Sequence, residues 1–390
     1  MKSAVRPAPW QMTFIQWVLL FAVATSPVYI LPAGGPQIGH FATLVLILAA
    51  ISRPVHLVPA DHLLGWLCFV ALVRTAVGVT IEEGNPAYFD DVAFTVFPVL
   101  SFLAIRQMAY DPANDRVIRN GLLIALFITV TVLVATGDYT LTGQIERAVG
   151  TFQNPNQLAY FSVLATAMLA LLFFTRRISD ALLIAGLVLT TFLSLVALSK
   201  SGMLAQYLAL GVIIQSYLRE KLGDIAAMLI LSLGFVALTL FLFSGVFDDL
   251  TFMRRLSDIG QQQDDSFAER GYFASLNGNP LHFLFGLGPA GSHEVVGHEI
   301  HSTIASFFGK YGVIGLLLFA GFLIDWIVKL WRAFGFWQTA AMTVGFLLYG
   351  IAHNGARFAM FWILAAVSYA FAQRTIYARQ MPMPTTVARG

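Results

Sequence analysis

Long apolar runs follow one another almost without pause along this chain, and a run of about 20 apolar residues is the length of helix that crosses the hydrocarbon of a bilayer. They lie near 12–32, 37–52, 62–80, 92–109, 118–136, 155–175, 180–198, 202–218, 224–246, 303–331, 335–353 and 357–373. Inside hydrocarbon every backbone N–H and C=O needs a partner within the protein, and a run of this length meets that demand as a helix. The expected fold class is an all-α polytopic membrane protein with about 12 transmembrane helices. The second run is short. The tenth carries Gly309, Gly312 and Gly315 and is expected to break near its start.

Composition excludes the main alternatives. The chain is 58% hydrophobic and 11% charged, against about 25% charged in a soluble domain. A net charge of +2 on scattered basic residues argues against nucleic acid as a partner. The single cysteine, Cys68, lies in an apolar run, leaving no disulfide framework and no thiolate metal site. Lys2 and Arg6 precede a first run long enough to span and followed by no small-residue cleavage site, so it reads as a transmembrane helix and not a signal peptide.

Basic residues are retained on the cytoplasmic side, which gives the orientation. With the N-terminus inside, fifteen of the 23 Lys and Arg residues fall in inner segments or inner span ends. The other eight, Arg74, Arg147, Lys200, Arg254, Arg255, Arg270, Lys310 and Arg357, break the rule, and each needs a reason to be where it is. Both termini are then cytoplasmic. The chain divides into spans one to nine (1–246), an outward loop with short helices (247–300), spans ten to twelve (301–374) and a cytoplasmic tail (375–390).

That one long loop holds most of the chain's polar chemistry. Ser266-Phe-Ala-Glu269 has capping-box spacing, so a helix of about ten residues is expected after it, stopped by Asn277-Gly278-Asn279-Pro280. Arg270 would sit in its first turn, facing the membrane surface or paired with Glu269 or Asp265. Phe285-Gly-Leu-Gly-Pro-Ala-Gly291 lacks the strand, the Lys-Ser/Thr ending and the helix of a nucleotide site, and reads as a turn. His293, His298 and His301 are close in sequence but do not have metal-site spacing. His293 and His298 read as solvated loop. His301 stands at the mouth of the next helix, where an imidazole suits general-base or hydrogen-bonding work.

Other outer segments add polar groups. Gly150-Thr-Phe-Gln-Asn-Pro-Asn-Gln157 places Gln153, Asn154, Asn156 and Gln157 together at the outer boundary, as helix caps and collar or as sugar-binding groups. Lys200, in a turn too short to leave the bilayer surface, is either an ammonium snorkelling to the headgroups or an anion ligand. Arg74, His353, Asn354 and Arg357 either line an outer cavity or pair with Glu82, Glu83, Asp90 and Asp91.

The ordered run GTFQNPNQLAYF, LSKSG, ERGYFASL, LFGLGPAG and HEIHSTIASFFGKYGVIG, over residues 150–315, resembles the O-antigen ligase and O-antigen (exopolysaccharide) polymerase superfamily of bacterial membrane proteins. The resemblance implies a C-type glycosyltransferase fold in the bacterial inner membrane. It implies transfer of a glycan from an undecaprenyl-diphosphate carrier to a hydroxyl on a glycan or lipid-core acceptor, at the periplasmic face, without soluble cofactor or metal. By position, Arg270 matches the loop arginine that grips the diphosphate, and His301 the histidine taken as the base. Lys200 stands where the family has arginine, keeping the charge but losing the planar fork. Membrane lipid and, through the pathway, export or polysaccharide-assembly proteins are the implied partners. The same residues leave Asn154, Asn156, Gln153, His298, Arg74, His353 and Arg357 as candidate substrate-binding groups.

Two other classes stay open on the residues alone. A polysaccharide or lipid-linked oligosaccharide transporter or flippase would also have many spans, but it should show internal repeats or paired broken helices, and none is visible. An intramembrane metalloprotease would need metal-spaced His, Asp or Glu within spans, and these are missing.

Overall fold

The computed structural model describes residues 12–31, 35–52, 54, 56–81, 92–140, 146–242, 244, 249–257, 269–276, 278–297 and 300–380. Among them there are helices and no strand. The apolar helices are α1 (Phe14–Ala24), α2 (Ile38–Ile51), α3 (Pro59–Ile81), α4 (Phe97–Ala109, preceded by a π-turn at Val92–Val96), α5 (Asp115–Thr136), α6 (Pro155–Phe174), α7 (Asp180–Ala197), α8 (Lys200–Leu222) and α9 (Asp224–Leu242). Three short helices follow in the loop, α10 (Thr251–Ser257), α11 (Pro280–Phe285) and α12 (Gly288–Val296). The chain then completes α13 (Thr303–Phe334), α14 (Phe336–Ala352) and α15 (Ala359–Gln380). Seven helices among the described residues are long and apolar enough to cross a membrane, and the protein is a multi-pass membrane protein on that basis.

Two helices make the centre. Every residue from Leu158 to Phe173 of α6 is buried, as is every residue from Met360 to Gln373 of α15. A helix apolar on all sides can be buried on all sides, and here α7, α8 and α14 surround α6 while α4, α13 and α6 flank α15. Peripheral helices turn large apolar side chains outward instead, such as Ile225, Met228, Leu229 and Leu233 on α9. A soluble surface would not carry that much exposed aliphatic area in one place.

The helix termini are built from local chemistry. Asn154 caps α6, its side chain accepting from the Asn156 N–H at 2.8 Å, with Pro155 in the first turn where a missing N–H costs nothing. Ser199 caps α8 and Ser302 caps α13 in the same way. Antiparallel succession brings the residue 24–31, 146–156, 197–202, 269–276, 278–297, 300–303 and 351–359 segments to one end, here the loop end. Backbone hydrogen bonds from Tyr29 N–H to Thr151 O (2.9 Å), Ala148 N–H to Val196 O (3.1 Å) and Thr303 N–H to His353 O (3.2 Å) tie those segments together.

The expected break in the tenth span is present at Gly312, with φ 66° and ψ −164°. A Cβ there would come within 2.6 Å of Gly286 N, because the α11–α12 link runs against the helix with backbone touching backbone. The carbonyls freed by the break are not left bare: Leu287 N–H donates to Gly309 O at 2.8 Å, and the Ser275 hydroxyl to Phe308 O and Gly309 O at 3.1 and 3.2 Å. The loop is thus stitched into the first turns of α13, as non-helical backbone at membrane depth requires.

The expected helix after Glu269 does not form over the described residues. Residues 269–275 are turns, and Gly271 has φ 79° with a Cβ position 2.9 Å from the Ile300 side chain, so this stretch is shaped by docking against the rest of the loop. The capping residues Ser266 to Ala268 lie outside the described residues.

Candidate functional site

The last carbonyls of any helix lack intrahelical partners, and at α14 they become the anchor for the loop. Gly350 O accepts from the Ser302 hydroxyl (3.3 Å), Ile351 O from the Tyr272 hydroxyl (2.6 Å), Ala352 O from Arg270 Nη1 (2.6 Å), and His353 O from the Thr303 N–H and hydroxyl (3.2 and 3.0 Å). The Ser302 hydroxyl also donates to Tyr272 Oη at 2.8 Å. Three segments distant in sequence, the ERGYFASL loop, the start of α13 and the end of α14, therefore meet at one point. A guanidinium there also opposes the negative end of the α14 dipole.

His301 is exposed directly before this junction. Capping of α13 is done by Ser302, whose hydroxyl accepts from Ala305 N–H at 3.3 Å. His353, just beyond α14, stacks on Tyr349 with centroids 4.6 Å apart. Burial, followed by the positive fields of Arg270, His301 and Arg147, lowers its pKa to about 3, which keeps it neutral at physiological pH. Arg270 of the loop, His301 before α13 and Arg147 of the α5–α6 link thus lie near enough for their charge to act on His353.

Arg147 is the member that motif reading did not single out. Its Nη2 donates to Asn156 Oδ1 at 2.7 Å and its Nε to Ala197 O at 3.3 Å, linking the α6 start to the turn before α8. The Tyr349 hydroxyl donates to Asn156 O at 2.5 Å, which joins this group to α14. The available signal was its place among the eight basic residues that break the retention rule.

The remaining candidates fall in several places. Asn156 faces Arg147, whereas the Asn154 side chain caps α6 and the Gln153 side chain donates to Leu31 O. Lys200 is the first residue of α8, with no acidic residue in that turn; a cation at the positive end of a helix dipole favours a nearby anion. Arg74 Nη2 donates to Leu287 O at 2.6 Å, holding the loop link from below. Asn354 Nδ2 donates to Ser306 Oγ at 3.1 Å. His293 is exposed on α12, and His298 lies outside the described residues together with Glu82, Glu83, Asp90 and Asp91. Among the described residues no three of His, Cys, Asp and Glu come close enough to share a metal ion.

An apolar groove of about 610 Å³ runs between α2, α4 and α15. Leu44, Ile47, Leu100 and Ile363 line its length, and Arg357 and His40 line it at the loop end. The Arg357 guanidinium lies 4.1 Å from the Phe94 ring centroid, a cation–π contact that holds the charge at the groove's mouth. Chemically, the loop end offers fixed cations, an exposed imidazole and an amide-rich rim, and the bundle an aliphatic groove. The sequence matches no protein-family model and no curated protein.

Proposed function

We propose that this protein is a membrane glycosyltransferase that moves a glycan from an undecaprenyl-diphosphate carrier to a hydroxyl acceptor at the periplasmic face, as a polysaccharide repeat-unit polymerase or an O-antigen ligase. In this reading the bundle is a twelve-span C-type glycosyltransferase in the bacterial inner membrane, with both termini cytoplasmic. The ordered motifs of residues 150–315 support it. The observation that carries it is the convergence of Arg270, through Ala352 O, and of the α13 start next to His301, through Thr303 and His353 O, on the end of α14, with an apolar groove lined by Arg357 elsewhere in the bundle.

The chemistry follows from those groups. The acceptor hydroxyl attacks the anomeric carbon and gives its proton to His301, while the bond from that carbon to the diphosphate oxygen breaks. Negative charge grows on the departing diphosphate, and Arg270 and Lys200 stabilise it as fixed cations. His353, neutral and partly buried, offers the sugar a hydrogen-bonding partner without competing for the proton. The aliphatic groove takes the start of the lipid tail, with Arg357 near the head group.

His301 is the test. With Ser302 supplying the cap, His301→Ala and His301→Asn should each lower turnover of a purified lipid-diphosphate glycan by about 10²–10⁴-fold, with donor binding kept and chelators without effect on the parent enzyme. Full turnover by His301→Asn would remove the general-base role.

A further inference from the structure

At the other end of the bundle the C-terminal ends of α6, α8, α13 and α15 and the first turn of α14 border an open cavity of about 540 Å³, within the size range of ligand pockets. Arg176, Arg177, Arg374 and Arg379 line it, with Glu220. Arg176 pairs with Glu220, and Arg177 and Arg374 each reach Asp115 at 2.7 Å. Four guanidiniums thus face two carboxylates, and two positive charges are left over. Arg379 meets a backbone group, donating to Arg332 O at 3.2 Å.

Compensation of helix dipoles accounts for part of this, since cations favour helix C-termini, but it asks only for charges at the exposed surface. Two features go further. The Arg374 side chain is only 16% exposed, and its Nη1 is buried with no hydrogen-bond partner among the described residues. Arg176 ends α6 with φ 58°, a left-handed position where glycine is the unstrained choice. Phe174, Phe334 and Phe371 also line the cavity, and the Arg374 guanidinium lies over the Phe371 ring at 4.3 Å from its centroid.

Surplus charge, a buried guanidinium nitrogen without a hydrogen-bond partner among the described residues and phenylalanine rings, at one end of a bundle of apolar helices, match an amphiphile whose head is an anionic phosphodiester. We propose that this cavity binds the head group of an anionic phospholipid of the leaflet opposite the candidate site, with its phosphodiester on the arginines and its glycerol against the phenylalanines. The site is independent of the transfer reaction and of its donor.

Arg374→Gln would also remove a partner of Asp115, so the discriminating variant combines Arg176→Gly, which suits the left-handed backbone, with Arg379→Gln. Purified protein is given phosphatidylglycerol, phosphatidylcholine or inorganic phosphate, and retention by native mass spectrometry and melting temperature are read. The parent should retain phosphatidylglycerol over phosphatidylcholine by about tenfold or more, as one charge-assisted contact gives, and should melt higher with it. The double variant should lose that preference while melting as the parent does in phosphatidylcholine. Equal retention of the two lipids, or a double variant as selective as the parent, overturns the proposal. An equal melting rise with inorganic phosphate alone would make it a soluble-anion site and overturn the lipid assignment.

Discussion

Arg270 serves two purposes in this account, and a pair of variants separates them. Its Nη1 bond to Ala352 O, 2.6 Å long, anchors the loop to α14; a charged donor on a carbonyl contributes about 1.5–3 kcal/mol to stability. Tyr272 anchors the same loop through Ile351 O (2.6 Å) and the Ser302 hydroxyl (2.8 Å) but brings no charge, so Tyr272→Phe should cost about 1–2 kcal/mol of stability. If the cation also stabilises the leaving diphosphate, Arg270→Ala loses a further 2–4 kcal/mol of barrier, roughly 30- to 1,000-fold in rate. The assay is transfer from a lipid-diphosphate glycan by purified protein, with melting temperature measured on the same samples. Both variants should melt below the parent, Arg270→Ala alone should lose most turnover, and Arg270→Lys should recover part of it. Parent-rate transfer by Arg270→Ala, or an equal loss in Tyr272→Phe, would refute the electrostatic role and leave only loop docking.

Three further outcomes are expected. Gly312→Ala places a Cβ within 2.6 Å of Gly286 N at a left-handed φ, and should destabilise by about 2–4 kcal/mol as overpacking and backbone strain combine, read as a lowered melting temperature. Lys200→Arg should keep or improve donor affinity, measured by binding of the lipid diphosphate, since it keeps the charge and adds a planar fork. For His353 the folded pKa is about 3 against the ordinary histidine value of 6.5, so below pH 6.5 the unfolded chain takes up a proton that the folded one refuses. Its effect is absent above pH 6.5 and destabilises progressively from there down to about pH 3, by no more than about 1.4 kcal/mol per pH unit. His353→Gln should flatten that part of the melting-temperature profile.

The apolar runs located the helices because hydrocarbon leaves an unbroken run few other solutions. The break in α13 was also legible, since three glycines lie within seven residues of it, but its cause was not: the segment that fills it comes from Leu284 to Leu287, through space. The same limit applies to Arg270 and Tyr272, whose carbonyl partners lie about 80 residues further on. The expected loop helix failed over 269–275 because Gly271 takes a left-handed turn against Ile300, a tertiary demand that capping-box spacing does not register. Arg147 and Arg74 were visible only as charges on the wrong side, and their hydrogen bonds to Asn156, Ala197 and Leu287 give a structural reason for that placement.

The central claim is that the loop end performs group transfer from a lipid diphosphate, and release of undecaprenyl diphosphate measures it most directly. Purified protein in liposomes is supplied with an undecaprenyl-diphosphate-linked glycan and a hydroxyl acceptor, and the free lipid diphosphate is quantified against elongated or ligated product. The account predicts one lipid diphosphate released per glycan transferred, and none from the His301→Ala variant. Movement of intact lipid-linked glycan across the liposome membrane, with no release of lipid diphosphate, would contradict it and identify a transporter.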